Sequence, residues 1–307
     1  MRVLFYGTPA FAVPTLEALL RHHTVVAVVT QPDRPAHRGQ RLTASPVKER
    51  AEAAGTPVVQ PARLRDPQWP ERLGAYAPEV AVVVAFGQIL PRAVLDVPPQ
   101  GSINVHASLL PKYRGAAPIA WAIIRGETET GVSIMLMDEG MDTGPVLSSV
   151  RVAVGPEETA GELATRLADV GAQALIEALD RLDHLTPRPQ PHGDANLAPR
   201  LKKEDGHLDW RRPARELVNL VRGCNPWPGA LARTPGGPLL VWRASLGTMS
   251  AAAPPGTLVP HGHTVAIATA AGAFLPVEVQ AEGRRALPWA EYLRGARLAA
   301  GAAFDVP

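Results

Sequence analysis

Val80-Ala81-Val82-Val83-Val84-Ala85 is a six-residue run without a polar side chain, and its reading decides the fold class. A strand apolar on both alternating faces has no side left for water, which is the condition of a parallel strand covered by helices above and below. Outward from it, shorter apolar runs stand at Val3–Tyr6 and Val25–Val29 on one side and at Ser102–His106 and Val132–Met137 on the other. Val13, Leu16, Leu19 and Leu20 fall between the first two at helical spacing. Strands separated by helices predict βαβ units, hence an α/β fold with a doubly wound, mostly parallel Rossmann-like sheet. Ligands of such sheets bind beyond the carboxyl ends of the strands, so the loops after residues 6, 30, 85, 106 and 137 are where chemistry is expected.

Further along, Leu163, Leu167, Val170 and Ala174 share one face of a helix expected from Thr159 to Leu182. The stretch Thr186-Pro187-Arg188-Pro189-Gln190-Pro191-His192-Gly193 follows, too rich in Pro and polar residues to pack, and reads as a semi-rigid linker. It sets the expected division: a catalytic domain over 1–185, a Pro-rich linker over 186–203 and a smaller domain over 204–307. That last part shows a short helix at Arg215–Arg222 and strands at Leu239–Trp242, Gly256–Leu258, Thr264–Ala268 and Leu275–Val279. Strands at this spacing without helices between them predict a small OB-like β-barrel.

Composition narrows the function classes. With 46% hydrophobic and 20% charged residues in 307, the chain has the profile of a soluble globular protein of two domains. The net charge of +2 is too small to announce a nucleic-acid partner, though a pI near 8.9 permits one. A single cysteine, Cys224, excludes an internal disulfide and fits a reducing compartment, so the cytosol is the expected location. No apolar run approaches the ~20 residues that span a bilayer, and the apolar run Val3–Tyr6 behind Arg2 is too brief for a signal peptide. A monomer is the default expectation. His22-His23 and the His261/His263 pair lack Cys or carboxylate partners at ligand spacing, so no metal is expected.

The chemistry is carried by Gly101-Ser102-Ile103-Asn104-Val105-His106-Ala107-Ser108-Leu109-Leu110-Pro111-Lys112-Tyr113-Arg114-Gly115. Alternation along a strand sends Ile103 and Val105 into a core and Asn104 and His106 together to the opposite face. Two polar side chains on one face of a buried strand need partners, since unpaired burial costs roughly 1–3 kcal/mol per group. A second stretch, Met137-Asp138-Glu139-Gly140-Met141-Asp142-Thr143-Gly144-Pro145, follows the Val132–Met137 strand and is expected at the same sheet edge as His106. Alone it is an ordinary Asp/Gly loop with carboxylates facing water.

Together the two stretches resemble the folate-dependent formyltransferase family. The resemblance implies that Asn104, His106 and Asp142 form the catalytic set and that 10-formyltetrahydrofolate is the co-substrate. The roles are chemically sound: an amine attacking a formyl carbon passes through a tetrahedral oxyanion, to which an Asn amide can donate. His106 can take the amine's proton or stabilise the oxyanion as imidazolium, and Asp142 can orient it. The resemblance also implies a pterin pocket between Phe86-Gly87-Gln88-Ile89-Leu90 and the Met137–Asp142 loop, with Ser108, Leu109, Leu110, Pro111 and Asp138 beside it.

The acceptor has to be read elsewhere. Gly7-Thr8-Pro9-Ala10-Phe11 lacks the Gly-rich Ser/Asn phosphate loop of family members that act on glycinamide ribonucleotide. Between Gln31 and Lys48 lies a long basic loop with Arg34, Arg38 and Arg41 separated by Pro and Gly, and His37 where the family commonly has Gly. Together with Leu197-Ala198-Pro199-Arg200-Leu201-Lys202-Lys203-Glu204-Asp205 and Asn225-Pro226-Trp227-Pro228-Gly229, it resembles members that formylate initiator methionyl-tRNA. That resemblance implies a tRNA partner, contacted by Arg38, Arg34 and Arg41 and by a positive face of the C-terminal domain. A sugar-nucleotide amine as acceptor and a hydrolase releasing formate stand as alternatives on the same core. An NAD-type oxidoreductase would need a Gly-x-Gly-x-x-Gly turn where Gly7-Thr8-Pro9 stands. A non-catalytic RNA-binding protein would leave Asn104 and His106 without a purpose.

Overall fold

A computed structural model describes residues 1–36, 41–249 and 251–306. They form two compact units that interleave along the chain: Met1–Pro118, Thr130–Val152 and Ala164–Pro199 make the first, and Ile119–Glu129, Ala153–Leu163 and Arg200–Pro307 the second. The strands of the first half are β1 (Arg2–Gly7), β2 (Thr24–Val29), β3 (Arg34–Ala36), β4 (Arg41–Thr43), β5 (Val58–Val59), β6 (Val80–Val84), β7 (Ser102–His106), β8 (Glu129–Leu136) and β9 (Val146–Ala153). Its helices are α1 (Val13–His22), α2 (Pro46–Ala53), α3 (Trp69–Gly74), α4 (Arg92–Leu95), α5 (Pro118–Ile124) and α6 (Ala160–Asp180).

Seven strands join one sheet in the order β5-β2-β1-β6-β7-β8-β9, with β3 and β4 pairing separately. β5, β2, β1, β6 and β7 are mutually parallel, so the sheet is mostly parallel and Rossmann-like, as its apolar runs predict. β8 departs from that pattern and runs antiparallel to β7, pairing Ile103 with Leu136 and His106 with Ser133. The carboxyl end of β8 therefore lies beside the start of β7, so the expectation that the Asp142 loop leaves from the same edge as His106 is corrected. An apolar run has the same pattern read in either direction, and nothing in Val132–Met137 announces its polarity.

Register assigns the two faces of the sheet. Leu4, Tyr6, Ala81 and Val83 share a face with Asn104, because Val83 pairs with Asn104, and pack a core with Trp69 and Leu73 of α3 and Val94 and Leu95 of α4. Ile103 and Val105 take the opposite face, where α6 lies against the sheet. A Cβ on Gly171 of that helix would meet the Val105 side chain at 2.9 Å, so glycine sets the closeness of the helix. β7 is buried along its whole length, which makes the polar pair Asn104 and His106 the anomaly that needs explaining.

The second unit contains α7 (Ala214–Gly223), α8 (Trp289–Ala296) and an antiparallel sheet of β10 (Ala230–Thr234), β11 (Gly237–Gly247), β12 (Leu258–His261), β13 (Thr264–Ala268), β14 (Ala273–Ala281) and β15 (Leu287–Pro288). The strand expected at Gly256–Leu258 begins only at Leu258, since Gly256 takes φ +88 and its missing Cβ leaves room for the Phe304 carbonyl. Trp210 is fully buried, with its ring 5.4 Å from Phe274 and 6.2 Å from Phe304. Within this unit Thr159 and Glu162 close a capping box ahead of α6: the Glu162 carboxylate accepts from the Thr159 N–H at 2.8 Å, and the Thr159 hydroxyl accepts from the Glu162 N–H at 3.3 Å.

Candidate active site

On β7 the Asn104 and His106 side chains project from one face, only 9% and 5% exposed. The connection from β8 to β9 doubles back over that face and brings Asp142 to both of them. Asn104 Nδ2 donates to Asp142 Oδ1 at 3.3 Å, and Asp142 Oδ2 lies 3.6 Å from His106 Nδ1. The other ring nitrogen, Nε2, is 2.9 Å from the Tyr113 carbonyl oxygen, a contact that requires Nε2 to carry a proton. In the neutral ring Nδ1 is then the lone-pair atom, facing the carboxylate across a gap wider than a hydrogen bond.

Asp142 is held in a backbone conformation that few side chains accept, φ +54. Its Oδ2 also accepts the Gly115 N–H at 2.8 Å. Gly115, at φ +120, admits no Cβ without meeting the Ala198 carbonyl at 2.8 Å. The Ser108-Leu109-Leu110-Pro111 turn is pinned from two sides: Ser108 Oγ donates to the Lys112 carbonyl at 2.6 Å, and Ser133 Oγ donates to the Ser108 carbonyl and accepts from the Leu110 N–H.

The Pro-rich stretch after α6 is not the unpacked spacer its composition predicts. Arg188 exchanges two backbone hydrogen bonds with Val146, at 2.8 and 2.9 Å. Asn196 Oδ1 accepts from the Tyr113 N–H, the Arg114 N–H donates to the Asn196 carbonyl, and the Arg114 carbonyl accepts from the Ala198 N–H. Between these anchors Gln190, 7% exposed, binds the Arg114 guanidinium and the carbonyls of Asp142 and Gly144. Nothing in the sequence marks Arg114, Ser133, Gln190 or Asn196 as a site residue. Arg114 falls in the Gly101–Gly115 stretch, Ser133 in an apolar strand run and Gln190 in the Pro-rich stretch, and none has a partner that local spacing connects.

The loop after β6 brings the other predicted residues into view. Phe86 is buried, edge-on to Tyr6 at 5.4 Å between centroids, and its carbonyl accepts from Thr8 Oγ1 and Gln31 Nε2. Burial in this packing pushes the Tyr6 phenol well above its ordinary pKa. Gly87 sits at φ +82, Leu90 is buried and Ile89 is 67% exposed. The Gln88 amide is bonded to the Pro61 carbonyl and the Leu64 N–H, so this side chain braces the loop. Asp138 caps its own turn, accepting from the Gly140 N–H and the Thr143 hydroxyl.

The expected basic loop begins and ends as the β3–β4 hairpin, while Arg38 lies outside the described residues, as does the side chain of Arg41. Arg34 is exposed and donates to Gln31 Oε1 at 3.1 Å. Beneath the hairpin, Lys48 and Gln60 donate to Asp33 at 2.6 and 2.7 Å and hold its carboxyl below the ordinary range, the Lys48 bond being the larger cause. Among the described residues no group of three or more His, Cys, Asp or Glu side chains is arranged to hold a metal ion, and no helix is long and apolar enough to cross a membrane.

Known proteins resemble the chain along its length. Residues 1–179 match the family described as formyl transferase, and residues 200–297 match the formyl transferase C-terminal domain. A methionyl-tRNA formyltransferase of Solibacter usitatus is 49% identical over 301 residues, spanning 97% of this chain and 96% of its own. One of Thermus thermophilus is 49% identical over 302 residues, 98% of each chain. Among solved structures, an N-formyltransferase from Helicobacter canadensis superposes with a TM-score of 0.64 at 16% identity, covering 90% of this chain and 98% of its own. A methionyl-tRNA formyltransferase from Clostridium thermocellum gives a TM-score of 0.57 at 19% identity over 80% and 93% of the two chains, a likeness of fold.

Proposed function

The chain belongs to the formyl transferase family, and on that premise we propose that it moves the formyl group of 10-formyltetrahydrofolate to the α-amino group of methionyl-tRNA, giving N-formylmethionyl-tRNA for translation initiation. Relatives carrying that name and matching nearly the whole of both chains support the acceptor. One observation carries the chemistry: Asn104, His106 and Asp142 meet within 3.6 Å on one buried sheet face, with one imidazole nitrogen tied off and the other turned to the carboxylate.

The amine attacks the formyl carbon, and the carbonyl oxygen becomes an oxyanion. Asn104 has two amide hydrogens, one directed at Asp142 and the second available to that oxygen. His106 Nδ1 receives the proton leaving the amine, and Asp142 stands beside the imidazolium so formed. Collapse returns the proton to the departing folate nitrogen and breaks its bond to the formyl carbon. Phe86, Gly87, Gln88, Ile89, Leu90, Asp138 and the Ser108–Pro111 turn shape the folate pocket, Gln88 by bracing it. Arg34, Arg38 and Arg41 of the basic sequence between Gln31 and Lys48 contact the acceptor stem. The working division is a catalytic domain over 1–185, a connecting segment over 186–203 and an OB-like tRNA platform over 204–307, in a monomer of the cytosol that needs no metal.

The test offers 10-formyltetrahydrofolate with methionyl-tRNA, glycinamide ribonucleotide and an amino-sugar nucleotide in parallel, and also measures free formate. Formylation of the tRNA alone is the expected result. Transfer to a small amine, or release of formate, overturns the acceptor while leaving the three-residue core in place.

A further inference from the structure

We propose that Gln190, from the segment after α6, is a positioning residue that sets the Asp142 carboxylate for the reaction; the inference rests on the catalytic reading of Asp142 above. Gln190 and Arg114 are each 7% exposed, so their polar atoms depend on one another and on the backbone around them. Gln190 Oε1 accepts from Arg114 Nε at 3.0 Å and Nη2 at 2.7 Å. Its Nε2 donates to the carbonyls of Asp142 at 2.8 Å and Gly144 at 2.7 Å. Both amide hydrogens and both oxygen lone pairs are thus used. The orientation is unambiguous, because a flipped amide would aim its hydrogens at a guanidinium and its oxygen at two carbonyls.

One of these carbonyls is Asp142's own and the other lies two residues on, so both hold the turn that begins at Asp142. There φ is +54, a backbone state that persists only where its surroundings enforce it. On the far side, the carboxylate is fixed by the Gly115 N–H and Asn104 Nδ2. Arg114 immediately precedes Gly115, so one guanidinium–amide pair connects the segment that offers the N–H to the turn that offers the carboxylate. Gln190 touches no reacting atom in this arrangement. It governs where Asp142 stands relative to His106.

Gln190→Glu is the informative change, since a carboxylate keeps the acceptor for Arg114 and replaces both donors with an oxygen facing two carbonyls. The expected loss is about tenfold or more in kcat, with KM for folate and for tRNA held within about threefold. The same change in an Asp142→Asn background is expected to cost less than about threefold, because two residues acting through one carboxylate are not additive. A purely structural role would instead lower the unfolding temperature and multiply through both backgrounds, and that result overturns the proposal, as does unaltered kcat. Near-full turnover by Asp142→Asn alone would sink the catalytic reading and this inference with it, which separates the two failures. If Gln190→Glu does not fold, Gln190→Asn keeps the amide, is one methylene too short to span both partners, and carries the same expectations.

Discussion

The face of β7 that carries Asn104 and His106 and the hairpin of β3 and β4 are both candidate contact regions, built on opposite principles. Around His106, the imidazole, the Asp142 carboxylate, the Asn104 amide and the Gln190 amide are bonded to one another or to backbone, nearly all out of water. On the hairpin, Arg34 is exposed and Leu42 is 71% exposed, with the clamp of Lys48, Asp33 and Gln60 confined to its base. Preorganised dipoles suit a transition state, whose charge develops in one place and requires no rearrangement to meet it. Exposed cations suit a phosphate backbone, which rewards charge more than fixed geometry.

Substitutions should divide along this line. His106→Ala is expected to lower kcat about 10³-fold with folate affinity retained, measured by single-turnover transfer and by folate titration. Loss of folate binding in parallel would blur the contrast. Asn104→Ala should cost roughly 10²-fold in kcat through the lost oxyanion donor. An inhibitor mimicking the tetrahedral intermediate should lose affinity by a similar factor, while folate itself should not. Arg38→Ala should raise KM for tRNA roughly three- to tenfold, leave kcat alone and reduce the salt dependence of binding by about one ion. A fall in kcat comparable to that of His106→Ala would break the comparison, because the basic residues would then belong to the chemistry.

The smallest effect lies outside both regions. The Thr159 N–H, with the Thr159 hydroxyl and Arg243 beside it, depresses the Glu162 carboxyl to about 2. A depressed carboxyl stabilises the fold above its unfolded pKa near 4.5, and the benefit is lost as pH falls toward about 2. Its side chain is 48% exposed, so the contribution is only about 0.5 kcal/mol after screening. Thermal melts of the wild type and Glu162→Gln should differ slightly at pH 7 and converge by pH 2, whereas a gap that persists in acid would assign the effect to packing.

How far the sequence could be read depended on whether a signal was local. The bounds of Ser102–His106 are legible to the residue, because alternation between apolar core and polar site is written into five neighbouring positions. The direction of β8 is not, since an apolar run has no polarity. β9 has no clear sequence signal, because Val146–Ala153 is mostly exposed or half-buried and carries little of the apolar pattern. The segment around Gln190 departs from its composition for a related reason: Pro and polar residues predict solvent, but their partners lie 46 to 76 positions away. Long-range hydrogen bonding leaves no trace in composition, so the candidate site was legible in its residues and illegible in its support.

The distance between those partners also has a meaning in time. A chain made from its amino end exposes Asn104, His106 and Asp142 well before the segment that packs beside them, since Gln190 follows Asp142 by 48 residues. At ~5–20 residues per second, the loop waits roughly 2–10 s during synthesis for that support. A nascent chain paused after α6, or a fragment ended there, holds every residue of the reactive cluster and still lacks the Gln190 and Asn196 contacts. Competence of the first unit is in this sense dated by the emergence of residues 188–198, and not by completion of the sheet on which the cluster stands.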